Sequence, residues 1–342
     1  MVKSNEDRYI LAIESSCDDT SAAVMSNRKA LSNIVANQEV HQAYGGVVPE
    51  LASRAHQKNI IPVVDEALSR AKISKNQLSA VAYTQGPGLM GALLVGNSFA
   101  KAMATALQIP LISVNHMQAH ILAHFIEDDR QNTPRFPFLA LTISGGHTQI
   151  VLVKDHFDME VIGTTLDDAI GEAFDKCGKM MNLPYPAGPH IDKLAKSGNP
   201  NAFHFNKPKV KELDFSFSGV KTAVRYFLQK EVAKEADFIN NNLNDICASL
   251  QKTLVEIIYD KMLKASSDYQ IPRLAIGGGV SANSAIRAKF KRLESHGYTI
   301  HIPAFDYCTD NAAMIGIVGY YKFLKHEFSN ETSISQSRFP IA

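Results

Sequence analysis

Two histidines four residues apart, in Asn115-His-Met-Gln-Ala-His120, give the chain its most specific chemical signal. At this spacing both imidazoles lie on one face of a helix, and neutral imidazole nitrogens suit a transition metal. Such pairs also arise by chance, so a third ligand is needed to make a site. Asp310, in Thr309-Asp310-Asn311, opens a late helix and could be that ligand or only a helix N-cap; residue type does not choose. Zinc peptidases use His-Glu-x-x-His with the glutamate as general base. Here Met117 stands in that place, so the peptidase reading loses its catalytic group.

Glycine-rich turns are the second signal. Ser144-Gly145-Gly146-His147-Thr148 lies between two apolar runs, and Gly277-Gly278-Gly279 lies between an apolar run and a helical pattern. Glycines admit close backbone approach, consecutive N–H groups can cradle an anion, and a helix starting there adds its positive end. With the Gly86/Gly88 turn they point to a bound nucleotide. None matches a P-loop or a dinucleotide fingerprint. Asp18-Asp19 could orient a metal-bound nucleotide or accept a proton; turn chemistry explains them equally well.

The elements around these residues alternate between strand and helix. Ile10 to Val24 and Phe138 to Val153 share a pattern of strand, polar turn and strand when offset by 128 residues, which suggests two lobes of related architecture. A strand at Ala80–Tyr83 leads to a small-residue helix from about Leu89 to Ala106. A strand at Pro110–Val114 enters the histidine helix. Leu243–Ser267 is helical, a strand at Arg273–Ile276 precedes a helix from about Asn283, and a last helix runs from near Asp310 to Phe323. This predicts an α/β class, with residues 1–130 plus 305–328 as one lobe, 131–304 as the second, and a loose polar tail over 329–342.

Bulk properties exclude several classes. The 342 residues are 45% hydrophobic and 20% charged, an ordinary globular composition. No stretch approaches a membrane span and the opening run is too polar for a signal peptide, so a cytoplasmic location is expected. Cys17, Cys177, Cys247 and Cys308 stand alone, without a Cys-x-x-Cys pair, which fits a reducing compartment. A net charge of +1 gives no overall support to unaided nucleic-acid binding. Lys207, Lys209, Lys211, Lys221 and Arg225 form the best local basic cluster.

The ordered set of motifs is more specific than any one of them. Glu14-Ser-Ser-Cys-Asp-Asp-Thr20, Gly45-Gly-Val-Val-Pro-Glu50, Gln85-Gly-Pro-Gly88, Asn115-His-Met-Gln-Ala-His120, Ser144-Gly-Gly-His-Thr148, Gly171-Glu-Ala-Phe-Asp-Lys176, Phe215-Ser-Phe-Ser-Gly219, Gly277-Gly-Gly-Val-Ser-Ala-Asn283 and Asp306-Tyr-Cys-Thr-Asp-Asn311 run across nearly the whole chain. The sequence resembles the bacterial TsaD family, the tRNA N6-adenosine threonylcarbamoyltransferases.

That resemblance implies a two-lobed actin/Hsp70/sugar-kinase-like (ASKHA) fold with nucleotide and metal in the interlobe cleft. It implies transfer of a threonylcarbamoyl group from threonylcarbamoyl-AMP to N6 of the adenosine 3′ of the anticodon, in tRNAs reading codons that begin with A. By position, His116, His120 and Asp310 match metal ligands for one divalent ion, iron or alternatively zinc. Thr142, Ile143, Ser144, Gly145 and Gly146 match the stretch that binds the acyl-adenylate. Asp175, Gly188, Asp192 and Asn283 match further substrate contacts, and Asp18 and Asp19 match an acidic pair needed for activity. Implied partners are tRNA, an inactive TsaB-like paralogue and a TsaE-like P-loop ATPase. Two positions depart from the family pattern: Asp19 replaces the commoner Glu, and Ala187 replaces the first Gly of Tyr-Pro-Gly-Gly-Pro, where a positive φ would strain it. A small-molecule kinase of the same fold, or a non-catalytic partner subunit, are the alternatives.

Overall fold

The computed structural model describes residues 7–37, 44 and 46–341; Gly45 of the Gly45–Glu50 motif lies outside them. The chain divides into two compact units, Met1–Pro134 with Pro303–Ala342, and Arg135–Ile302.

In the first unit the described residues form a five-stranded sheet. Its strands are β1 (Tyr9–Glu14), β2 (Thr20–Ser26), β3 (Lys29–Ala36), β4 (Leu78–Gly86) and β5 (Leu111–Asn115), in the order β3-β2-β1-β4-β5. The first three form an antiparallel meander, and β4 and β5 run parallel to β1. From Ile10 to Glu14 every residue of β1 is buried, as expected of a central strand covered on both faces. Its alternation decides what covers each face. Leu11 and Ile13 share a core with residues of α1 (Pro49–Ala71) and α2 (Met90–Leu107). Ile10 and Ala12 face α9 (Ala312–Leu324), where a Cβ on Gly316 would stand 3.2 Å from Ala12 Cβ, and one on Gly319 2.7 Å from Ala82 Cβ. Small residues on both sides let α9 lie close to the sheet. The short helix α3 (His116–Leu122) follows β5 directly and packs beside α9.

The second unit repeats this plan. Its sheet has the order β10-β9-β6-β7-β8, from β6 (Phe138–Ile143), β7 (Thr148–Val153), β8 (Met159–Thr164), β9 (Arg273–Gly277) and β10 (Thr299–His301). Again three antiparallel strands are followed by two parallel ones. Ile10 pairs with Met25 and Phe138 pairs with Val153, so one 128-residue offset converts the register of the first hairpin into that of the second. The repeat is therefore real at the level of backbone pairing. Its core gathers β6, β7 and β9 with α4 (Ile170–Met180), α5 (Ala187–Ala195), α6 (Ser218–Val232), α7 (Phe238–Tyr269) and α8 (Ser284–Lys291).

Two expectations are corrected. The last helix begins at Ala312, because the Asn311 side chain accepts the Met314 N–H and is the N-cap; Asp310 is left outside the helix. The segment from Ser329 to Ile341 does not run free. Its backbone donates to the sheet, Gln336 N–H to Gln85 O at 2.8 Å, and accepts from polar side chains, Lys101 Nζ to Ser333 O at 2.6 Å, and Ser335 and Ile341 are buried. Polar composition suggests solvent, but here the polar groups satisfy one another. No helix among the described residues is long and apolar enough to cross a membrane.

Candidate metal centre and ligand-binding turn

His116 is the first residue of α3 and His120 lies one turn later. Both are buried, with His120 only 1% exposed. Asp310, from the loop before α9, reaches them: its Oδ1 is 3.2 Å from His120 Nε2 and 3.5 Å from His116 Nε2. The two Nε2 atoms are 3.1 Å apart. Two imidazole lone pairs at that separation repel unless a proton or a cation lies between them. One ligand atom from each of the three residues lies within 4.8 Å of the others.

Glu14, at the end of β1, fixes this arrangement although its carboxylate is wholly buried. Its Oε2 is 3.0 Å from His116 Nδ1 and accepts the Thr84 hydroxyl at 2.6 Å, while Oε1 accepts the Ser16 N–H. A carboxylate on Nδ1 keeps the proton there, leaves Nε2 free to ligate, and raises its basicity. Burial works to raise the Glu14 pKa, but the facing His116 and the bond from Ser16 hold it below the usual carboxylate range. Burial likewise works against a proton on His116, and the carboxylates of Asp310 and Glu14 outweigh it, moving the imidazole up to about 9. His120 Nδ1 is buried without a hydrogen-bond partner among the described residues, and its Nε2 faces Asp310. Two inward Nε2 atoms, one carboxylate and a buried carboxylate behind the first ring fit a divalent transition metal.

Asp18 and Asp19 are half-buried in the β1–β2 turn. Burial, with the charges of Asp18, Asp310 and Glu14, raises Asp19 to about 7. His56 of α1 holds this turn from behind, with Nδ1 2.7 Å from Thr20 Oγ1 and Nε2 3.1 Å from the Cys17 carbonyl. Glu14 and His56 are the residues that sequence reasoning missed. Glu14 was legible as a carboxylate closing an otherwise apolar strand; His56 carried no signal.

The glycines now separate into two kinds. A Cβ on Gly88 would meet the Ser16 backbone, and one on Gly278 (φ +89°) would meet Ile143, so internal packing explains both. Gly145 and Gly146 have nothing within 4 Å of such a Cβ and are exposed. Among the described residues nothing packs against either position, so internal packing does not explain these two glycines. Ser144 shapes this turn by accepting the Gly146 and His147 N–H groups on its Oγ. The start of α4 is drawn to it, since Gly171 N–H donates to Ser144 O at 3.2 Å. Thr142 and Ile143 are buried in β6 and paired with Gln149 and Thr148 of β7, so they support the turn from inside the sheet.

A second group surrounds the starts of α5 and α8. Asp175 accepts the Ala187 N–H at 2.7 Å, and burial raises its pKa against that bond and one from Gly188. A Cβ on Gly188 would find only Phe174, at 4.0 Å. Asp192 takes the Ser284 hydroxyl and N–H on its two oxygens. Asn283 caps α8 through Oδ1 and donates to Gln251 at 2.7 Å, so a single N–H remains for any ligand. Ala187 is a buried residue of helix α5 with no positive φ, and the feared strain does not arise. Of the basic cluster, Lys207, Lys209 and Lys211 are exposed, but Lys207 is paired with Glu256 and Asp260, and half-buried Lys221 with Asp168. The metal trio and the acidic pair lie in the first unit, and the glycine turn with the Asp175, Gly188, Asp192 and Asn283 group lies in the second.

Comparison with known proteins follows the same lines. The TsaD family, described as tRNA N6-adenosine threonylcarbamoyltransferase, matches residues 29–317. A protein of that name from Christiangramia forsetii is 62% identical over 331 residues, covering 96% of this chain and 97% of the relative. Another from Riemerella anatipestifer is 59% identical over 333 residues, covering 97% and 98%. Among solved structures, nucleotide-bound HypF aligns with a TM-score of 0.63 at 13% identity, over 95% of this chain and 48% of its own. A ROK hexokinase from Thermus thermophilus aligns at 0.50 and 13%, over 93% and 99%. At such identities these structures speak to the fold alone, which is the ASKHA α/β class.

Proposed function

The chain belongs to the TsaD family of tRNA N6-adenosine threonylcarbamoyltransferases, and from that premise we propose that it moves a threonylcarbamoyl group from threonylcarbamoyl-adenylate to N6 of the adenosine 3′ of the anticodon. The observation that carries this reading is the cluster of buried His116 and His120 with partly exposed Asp310 and with Glu14 behind it, in a chain 62% identical to a named member over nearly its full length. In the reaction the N6–carbon bond forms, the carbon–oxygen bond to the phosphate breaks, AMP leaves, and the amine gives up a proton.

Each group of residues has a part. The Gly145 N–H, on a turn whose Ser144 and Gly146 N–H groups are already bonded within it, receives the phosphate of the adenylate with the positive end of α4 close by. Asp192, oriented by Ser284, accepts from the ribose hydroxyls, and the open backbone at Gly188 admits the nucleoside. Asp19, whose carboxyl pKa is held above the usual range by burial, takes the proton released by the amine, with Asp18 beside it. An exocyclic adenine amine is a poor nucleophile, so positioning and charge stabilisation contribute most. The trio would hold one divalent ion, iron or alternatively zinc, which supplies Lewis-acid stabilisation of oxygen charge when bound.

A formal charge of +1 supplies little affinity for a polyanion, and two of the five candidate basic residues are already paired with carboxylates. tRNA binding therefore draws on partner subunits, in our reading a TsaB-like paralogue and a TsaE-like ATPase. The test combines the purified chain with those partners, the adenylate and unmodified tRNA, and follows the modified nucleoside by mass spectrometry. Formation of N6-threonylcarbamoyladenosine, lost in His116→Ala and Asp310→Ala, is the expected result. No product from folded, metal-loaded protein would overturn the reading.

A further inference from the structure

The helix that carries both histidines has seven residues. A helix this short is marginal by itself, so its direction is set by what it touches. Asn115 caps it, with Oδ1 accepting the N–H groups of Met117 at 2.9 Å and Gln118 at 3.2 Å. The other end of the same amide donates to two backbone carbonyls of the segment that follows α9, Phe339 at 3.3 Å and Pro340 at 2.8 Å. Gln118 Nε2 donates to the next carbonyl, Ile341, at 2.9 Å. Three consecutive carbonyls are thus read by two side chains that flank His116. With N–H groups on Oδ1 and carbonyls facing Nδ2, the orientation of the Asn115 amide is fixed.

The segment is itself anchored upstream. Gln85 Nε2 donates to Ile334 O at 2.8 Å, and Asn97 Nδ2 donates to Ser335 Oγ at 3.0 Å. A Cβ on Gly86 would run into the carbonyl of Gln336, so β4 ends in glycine where the segment crosses it. The same turn that reads from sequence as a nucleotide loop is thus shaped to seat this segment.

We propose that Asn115 and Gln118 are positioning residues for the metal centre, and that the carbonyls of Phe339 to Ile341 set the helix through them. Neither side chain supplies one of the three ligand atoms; each acts by holding α3 so that both Nε2 atoms face Asp310. The proposal rests on reading that trio as a metal site.

The test uses the full-length, metal-free chain titrated with Co2+, followed by visible absorption and by thermal unfolding. Asn115→Ser keeps an equally good cap but loses the donors to Phe339 and Pro340. Gln118→Met keeps length and helix preference and loses the donor to Ile341. The double variant is expected to bind Co2+ about 10- to 100-fold more weakly, the usual cost of losing groups that orient a ligand, with an altered absorption spectrum and still cooperative unfolding. Thr105→Val, which removes the bond to Glu331 near the start of the segment, should keep wild-type affinity. Wild-type affinity and spectrum in the double variant, or an equal loss in Thr105→Val, would overturn the proposal. Should the double variant unfold, Gln118→Met alone decides by the same criteria. His116→Ala separates the two levels: Co2+ binding that survives it would refute the metal reading itself, not only the bracing of α3.

Discussion

In the metal-free protein, raising the pH should strengthen metal uptake steeply between neutrality and about 9. Burial disfavours the charged imidazole of His116, yet the carboxylates of Asp310 and Glu14 outweigh it and lift its pKa to about 9. A cation needs the neutral Nε2, so below that value it must displace a proton. Each pH unit of competition is a factor of ten, and from pH 7 to 9 the apparent affinity should rise roughly 100-fold, about 3 kcal/mol. Co2+ or Zn2+ competed against a chelator of known pH dependence would measure it. The slope should approach one decade per unit and flatten above 9. Stability runs the other way. A raised histidine pKa stabilises the fold fully below the unfolded value near 6.5, and that contribution is lost as the pH climbs through about 9. The metal-free protein should therefore melt at lower temperature at pH 9 than at pH 6, while its metal affinity grows. A flat affinity profile across pH 7 to 9 would refute His116 as a ligand that shares its proton with Glu14 and Asp310.

Three further outcomes follow from the geometry. Glu14→Gln should fold but weaken Co2+ binding about 10- to 100-fold in the same titration, because the ring it faces loses both basicity and fixed orientation. Gly145→Ala should leave thermal stability within about 0.5 kcal/mol yet cut transfer, since its Cβ meets only open space; Gly278→Ala should cost about 1–3 kcal/mol in denaturant unfolding, being held at positive φ against Ile143. Asp19→Asn should raise the melting temperature of the metal-free protein at pH 8 while reducing transfer. The raised acid penalises the fold increasingly from about pH 4 to 7, so the gain should close as the pH falls toward 4, and a gain that grew on acidification would contradict it.

Much of the site was legible in the residues because local chemistry carries it. The His116/His120 spacing needs only a helix, and Asn115 ahead of it supplies the cap that starts one. The 128-residue offset between hairpins survives as matching registers, because alternation along a strand fixes which residues can pair. The glycine turns were found but not sorted. Whether a glycine serves a ligand or a neighbouring strand depends on what lies opposite it, and sequence does not hold that.

The sequence by itself determined the α/β class, the family, the histidine pair and the acidic turn, since each is set by spacing within one element or by an ordered run of motifs. Only the tertiary structure decided the rest. It freed Asp310 from the capping role, which Asn311 takes, and turned it toward the histidines. It set Glu14, 102 residues away in the chain, against His116, so that a buried charge became an orienting partner. It also seated the polar segment after α9 on the sheet and against the histidine helix. Contacts between distant residues follow from how the strands are ordered in the sheet, and no local pattern in the chain encodes that order.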